Sequence, residues 1–356
     1  PYPTLSRSAQ TISTVATNQA RGALETAGLT ASVAPVVDVT AKTITVRLTS
    51  TPSTWVMHLA DFGASETSVE ATAKVVGGAP ICVIGLNGNQ QQTIFLSESA
   101  RLKAPGCSVY SDSTNGKGLY IQDDALLEAA YICSAGGKEK LGAGTYNPTP
   151  ETDCPSIPDP LAARPAPTVS TTCAQTKYDV GSGSVILKPG VYCGGLTIEG
   201  TTRARLEPGI YVIKDGDFKI SDTAKVSGIN VGFYLTGANP RLIFEGASTI
   251  SLTAPKTGDM AGILVFEDRK ISNVVKHEIS ADNANTLLGT FYIPRGELRI
   301  SANRPVADKS AYTIVVANRF TLGMGPTMVL NTNYANTDVP VPDGVGPNGM
   351  KAYLAK

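Results

Sequence analysis

"LKPGVYCGGLTIEG" occupies residues 187–200 and "LEPGIYVIKDGDFKISD" occupies residues 206–222. The second restates the first, with Leu-x-Pro-Gly, then Val or Ile, then Tyr, 19 residues on. Around both, apolar residues alternate in pairs: Val185/Leu187, Val191/Cys193, Leu196/Ile198, then Ala204/Leu206, Ile210/Val212, Phe218/Ile220, then Ala224/Val226 and Val231/Phe233. Alternation with period two marks a strand with one buried face. Each cycle of roughly 19–22 residues holds up to three short strands, separated by Pro-Gly, Gly-Gly or Asp-Gly corners that turn the chain. Three strands and three corners make a triangular coil, and coils stack strand on strand about 4.8 Å apart. A single coil cannot bury its apolar face, whereas a stack can, so the fixed period predicts a parallel β-helix. The crossover rule makes it right-handed. In this register Cys193 aligns with Val212 and occupies an inward slot.

The pattern continues less regularly through "RLIFEGASTISLTAP" (241–255), "GILVFEDRK" (262–270), "LLGTFYIPRGELRISA" (287–302) and "YTIVVANRFTLGM" (312–324). Upstream, "SARLKAPGCSVYSDS" (99–113) is echoed by "DALLEAAYICSAGG" (124–137), matching Ala100 and Leu102 to Ala125 and Leu127. An antiparallel sandwich or jelly roll also has many short strands, but it would not need matched columns at a fixed period. The β-helix is therefore expected over 79–330.

Within it, residues 144–178 crowd prolines between Pro148 and Pro167. Proline donates nothing to a sheet ladder, so this stretch is expected as an ordered loop or linker inserted in the β-helix. Cys154 and Cys173 bracket the prolines, and a disulfide between them would clamp the excursion, although spacing leaves the connectivity open. The stretch 331–356 is rich in Asn, Pro and Gly and is expected as a cap or loose end.

Residues 1–78 differ in character. "TLSRSAQTISTVATNQARGALETAG" (4–28) spaces Leu5, Ile12, Val15, Ala20 and Leu24 as one amphipathic helix, with Gly28 suited to its C-cap. "SVAPVVDVTAKTITVRL" (32–48) and "TSVEATAKVV" (67–76) alternate as strands, with Ile44, Val46 and Leu48 on one face and Thr43, Thr45 and Arg47 on the other. A helix and a small antiparallel sheet are the expected sum, a unit that could cap one end of the β-helix against edge pairing.

Composition bounds the partners. The 356 residues carry 30 basic and 30 acidic side chains, a formal net charge of zero. A phosphate-neutralising surface needs a basic excess, so nucleic acid is not an expected partner. Charged residues make up 17%, with Thr, Ser, Gly and Ala filling the gap, as in β-rich extracellular proteins. Six cysteines, Cys82, Cys107, Cys133, Cys154, Cys173 and Cys193, contain no C-x-x-C pair. Zinc and thioredoxin-type sites are thereby disfavoured, and the even count points to disulfides in an oxidising compartment. No apolar run approaches the ~18 residues of a membrane helix, and the chain begins at Pro1 without Met, as though a leading segment had been removed.

Many β-helices cleave polysaccharides, so the carboxylates matter. Asp123-Asp124 and Asn336-Thr337-Asp338 supply two motifs of the pectin-hydrolysing β-helix enzymes, but in the wrong order, and G-H-G and R-I-K are absent. Nothing in the spacing suggests the paired acids such chemistry requires, and Asp and Asn favour turns. "KDGDFK" (214–219) offers Asp215 and Asp217 at calcium-loop spacing without the remaining ligands, which favours a corner. In "FEDRK" (266–270), Asp268 beside Arg269 could mimic a calcium-dependent lyase or form a surface ion pair. His58 and His277 belong to no Ser-His-Asp pattern, and no phosphate-cradling loop is present. The expectation is a non-enzymatic protein without metal or cofactor.

"CPSIPDPLAARPAP", "LKPGVYCGGLTI", "LEPGIYVIKDGDFKI", "VGFYLTG", "TISLTAPKTGDMAGILVFEDR" and "LLGTFYIPRGELRISA" together resemble the TadG-like (TadE/TadG) Flp, or tight-adherence, pilus-assembly proteins of proteobacteria. The resemblance covers most of 150–320. The N-terminal part is similar too: in that family a membrane-embedded or pilin-like helix leads into a small sheet, and "STWVMHLADFGASETSVEATA" (53–73) loosely matches its following stretch. The chain departs in lacking a hydrophobic segment before Pro1 and a von Willebrand A-type domain with its D-x-S-x-S metal site. The resemblance implies a structural or adhesive pilus component in the periplasm, at the inner membrane or at the pilus tip, anchored through a segment upstream of Pro1. Its partners would be pilin subunits, cell-surface components or glycans. The alternatives are a secreted β-helix carbohydrate-active enzyme or tailspike-like depolymerase, and a secreted scaffold.

Overall fold

The computed structural model describes residues 9–40, 43–51, 66–75, 79–347 and 352–355. They form two compact units, one of residues 1–76 with 351–356 and one of residues 77–350.

In the smaller unit a helix spans Ala9–Thr26. It ends as the sequence predicts, with Gly28 in the left-handed region (φ 66°) and the Leu29 amide donating to the Leu24 carbonyl at 2.9 Å. The expected strand region 32–48 is a hairpin, Ser32–Asp38 against Thr43–Ser50, followed by Thr67–Val75. Thr45 and Arg47 share a face, as the alternation requires: Thr45 Oγ1 lies 2.8 Å from Thr72 Oγ1, and Arg47 pairs with Glu70 at 2.8 Å. The stretch expected as a cap or loose end is used differently. Its strand Ala352–Ala355 pairs antiparallel with Thr67–Val75 as the fourth strand of this sheet. The large unit is thus inserted between two neighbouring strands of the small one. Trp55, His58 and the rest of 52–65, and Leu5, lie outside the described residues.

The larger unit is a parallel β-solenoid of about 11 turns, roughly 50 Å of stacked strands at the usual spacing. Val185 lies over Ala204 and Leu187 over Leu206 as expected, but Ala204 then pairs with Val226, not Ala224, and continues to Ile250, while Leu206 pairs with Gly228 and the column continues to Leu252 and Leu287. Leu196 lies over Phe218 and Ile198 over Ile220. The strand Gly209–Lys214 departs as well, with Tyr211, not Val212, over Phe233. Val191, not Cys193, pairs with Val212, while Cys193 opposes Lys214 and is partly exposed, not inward. The two extra residues fall ahead of this strand, between Leu206 and Tyr211, because Leu187 pairs with Leu206 and Gly190 already pairs with Tyr211.

The order of turns in the stack is not their order in the chain. The chain enters the solenoid at Ile81–Gly85, which docks in parallel on Thr313–Leu322, the last long strand of the molecule. From there turns built of 81–147 continue the stack away from turns built of 175–330. An unpaired parallel edge would expose a row of backbone donors and acceptors, and here each half covers the other's edge. The Pro-rich stretch expected as an insertion connects the two far ends of the stack. Its first residues still form strand (Thr145–Asn147), and so do its last, in Gln175–Val180. Residues 148–174 between them run back along the side of the solenoid as a strap. The chain leaves beside the point where it entered, with Ile81 and Gly346 bridged antiparallel.

Candidate functional site

The solenoid presents three faces with different outer surfaces. The first bears the strap. Its inward column runs Tyr211, Phe233, Val265, Phe291, Val315, Val83, Val109, Ile132. Its outward column runs Val212, Tyr234, Phe266, Tyr292, Val316, Ile84, Tyr110, Cys133, and every member is buried. Strands buried on both sides read as continuous apolar runs, hence "ILVFE" and "ICVIG". The strap and the 331–347 segment supply the cover. Tyr110 donates to the Pro155 carbonyl, Tyr292 to Asp159 Oδ2 at 2.6 Å, and Tyr312 to the Pro340 carbonyl at 2.6 Å.

Arg269 clamps the strap's middle. Its guanidinium lies 5.0 Å from the ring centres of both Phe266 and Tyr292 and donates to the carbonyls of Leu161 (2.6 Å) and Arg164 (2.9 Å). The expected Asp268–Arg269 ion pair does not form, because Asp268 accepts from Thr236 Oγ1 at 2.7 Å and from the Lys270 amide. Two disulfides pin the strap's ends, Cys133–Cys154 and Cys173–Cys193, and Cys82–Cys107 joins consecutive turns. The expected Cys154–Cys173 bridge is therefore overturned. Those residues sit at opposite ends of a segment laid along the stack, each bonded to the turn beneath it. Cys133, Glu151 and Cys154 cluster within ligand distance of one another, but the sulfurs are bonded together and offer no thiolate to a metal. Three disulfides fit an oxidising, extracytoplasmic compartment. Among the described residues no helix is long and apolar enough to cross a membrane.

The acids singled out by sequence mostly brace corners. Asp123, at φ 59°, accepts from the Glu98 amide at 3.0 Å, and Asp124 pairs with Arg101 at 3.7 Å. Asp215 accepts from the Ala238 amide at 2.8 Å, and Asp217 holds Arg241 through both oxygens (3.1 and 2.6 Å). Each ties one turn to the next. Asp338 pairs with exposed Lys256, which holds its carboxyl below the usual range, and Asn336 ends a 3-10 turn.

His277 is a core residue. Its Nδ1 accepts from the Leu242 amide at 3.1 Å, leaving Nε2 to donate to Glu267 Oε1 at 3.1 Å. Glu267 Oε2 accepts from the Arg295 and Gly296 amides at 2.8 and 2.9 Å. Both side chains are fully buried, and the network is satisfied, as burial requires. A Cβ at Gly296 would stand 2.7 Å from Glu267 Oε1, so the closure depends on glycine. Nothing in the sequence near Glu267 signals this partner.

The second face carries charges that alternate along the stack: Lys276, Glu297 and Arg319 in one column, Glu278 and Arg299 in the next. Glu297 accepts from Thr321 at 2.7 Å with Arg319 at 3.8 Å, and Glu278 accepts from Ser301 at 2.8 Å. Beyond them Phe95 and Tyr120 stack at 5.4 Å.

The third face is open. Its outward columns run Ser184, Arg203, Lys225, Thr249 and Ile186, Arg205, Ser227, Ser251, all exposed. They line a shallow groove of about 560 Å³.

Compared with protein-family models, with curated proteins and with solved structures, the chain matches none.

Proposed function

We propose that the chain is a non-enzymatic, extracytoplasmic contact protein, a structural or adhesive component of a tight-adherence pilus. The small helix-and-sheet unit would assemble or anchor it, and the solenoid would present its open faces. The observation that carries this reading is the insertion. The chain leaves the small sheet after Thr67–Val75 and returns to it as the neighbouring strand Ala352–Ala355, so the solenoid is inserted in the chain between two adjacent strands of one sheet. The resemblance of its sequence strings to TadG-like proteins and the disulfides support it further. Deleting the gene should abolish or reduce piliation and surface attachment, scored by microscopy and by retention on a surface. Unchanged piliation and attachment would refute the reading. A leading apolar segment of about 20 residues upstream of Pro1 would support anchoring.

A second reading, a polysaccharide-cleaving enzyme, draws on one observation, the two hydroxyl-bonded carboxylates Glu278 and Glu297 among arginines on the second face. Release of reducing ends or unsaturated products from pectin, alginate or capsular polymers, lost in Glu297→Gln, would favour it.

A further inference from the structure

Charges on the solenoid faces generally meet their opposites across the rungs. Lys276, Glu297 and Arg319 alternate, Glu278 lies under Arg299, Lys103 lies beside Glu128, and Arg101 pairs with Asp124. The open face between 184 and 251 breaks this rule. Arg203 lies directly in register with Lys225, and Arg205 is two residues along the same strand. Among the described residues, none of the three makes an ion pair with a carboxylate. Like charges directly opposite on neighbouring strands destabilise a sheet, so this cluster weakens the fold that carries it. It is also a local excess in a chain whose net charge is zero.

Around the cations lie hydroxyls from Ser184, Ser227, Thr249 and Ser251, and the half-exposed side chain of Ile186. No aromatic ring lines the groove, which removes the stacking platform that single-stranded nucleic acid uses. The rungs place cations and hydroxyls at repeating steps of about 4.8 Å along a straight, shallow track. Two arginines suit bidentate capture of planar carboxylates, and hydroxyls suit sugar hydroxyls.

We propose that the open face between Ser184 and Ser251 binds an extended carboxylate-bearing polysaccharide, a uronate polymer, laid along the solenoid axis. This deepens the contact-surface reading above and rests on it.

The test uses the full chain and polygalacturonate or alginate as probe. Neutral dextran, dextran sulfate and single-stranded DNA serve as comparators. Uronate should bind and weaken as salt rises, because exposed charges are screened. Arg203→Gln and Arg205→Gln should each weaken binding about tenfold without lowering the thermal unfolding midpoint, which Arg203→Gln should raise slightly by relieving its repulsion with Lys225. Arg101→Gln, which removes a paired cation on the same face, should leave binding intact. Equal binding of dextran, equal loss in Arg101→Gln, no uronate binding at low salt, or tighter binding of sulfate or DNA at matched charge would each overturn the proposal. The pilus reading fails separately. Uronate binding by the purified chain, with normal piliation and attachment in the deletion strain, would sink that reading alone. A piliation defect in the deletion strain with no uronate binding would sink this inference alone.

Discussion

The strap face and the open face are built from the same turns, yet their strands obey different rules. On the strap face Val231–Thr236 is buried at its first five positions, and Tyr234 and Phe266 point away from the solenoid interior into the strap's cover. On the open face Arg203–Leu206 alternates strictly between exposed and buried. The difference lies outside the strands. Residues 148–174 and 331–347 supply a second apolar layer to one face, and nothing among the described residues supplies it to the other. Stability therefore concentrates where the chain folds back on itself, and the face left bare can carry unpaired charge.

The sharpest way to break this contrast is to truncate one side chain on each face. Phe266 points outward, is fully buried, and meets Tyr234 at 5.4 Å and Tyr292 at 5.0 Å edge to face. Phe266→Ala should cost about 3–5 kcal/mol in chemical unfolding. Arg205→Ala on the open face should stay within about 0.5 kcal/mol of the parent. Comparable losses at both sites would mean that the strap adds little to the face it covers.

The strap's anchors come next. Cys173 and Cys193 close 20 residues of sequence separation. Replacing both with Ser should cost about 3 kcal/mol and open 155–172 to proteolysis before the solenoid itself is cut. If limited proteolysis nicks the solenoid first, the strap is held by packing and the bridge is secondary. Arg269→Ala removes two hydrogen bonds to strap carbonyls and a cation over two rings, about 2 kcal/mol in sum. Hydrogen exchange should quicken at 157–164 while Ala100–Leu102 stays protected. Arg269→Lys should fail to restore it, since an ammonium cannot span both carbonyls and stack as well.

How much of this was legible follows from what each interaction depends on. Columns such as Leu196 over Phe218 and Ile198 over Ile220 are set by residue type at a local period, so the sequence discloses them. The docking of Ile81–Gly85 on Thr313–Leu322 joins residues more than 200 apart, and no period relates the two. Parallel edges are interchangeable as hydrogen-bonding partners, so alternation alone cannot say which turn follows which. The cysteines misled for the same reason. Cys154 and Cys173 flank the prolines in sequence, but their partners are chosen by where the strap lands. The open-face cations were legible as residues but not as a cluster, because Arg203 and Lys225 become neighbours only when the turns stack. Glu267 reads as one of many surface acids until Gly296 and His277 close around it.

The smallest effect tests the strap's contact with the turn at Asp112. The Ile157 amide donates to Asp112 Oδ1 at 2.7 Å. Burial pushes the Asp112 carboxyl up to about 6 from 3.8, against the opposing pull of hydrogen bonds from Ile157 and Ser156. The folded state therefore holds the proton more tightly than the unfolded chain. The stability this gives is fully present below pH 3.8 and is lost as pH rises through about 6. Asp112→Asn keeps an acceptor for Ile157 and removes the charge, so it should match the parent near pH 4 and exceed it above pH 7. Discounted for partial exposure, the gain is under about 1 kcal/mol. Other carboxylates titrate over the same range, so the quantity to follow is the difference in unfolding midpoint between parent and variant. A difference that stays flat from pH 4 to 7.5 would show that water reaches Asp112 freely and that the strap does not bury it. No residue of the open face should give such a curve, because burial by the strap is what raises the carboxyl.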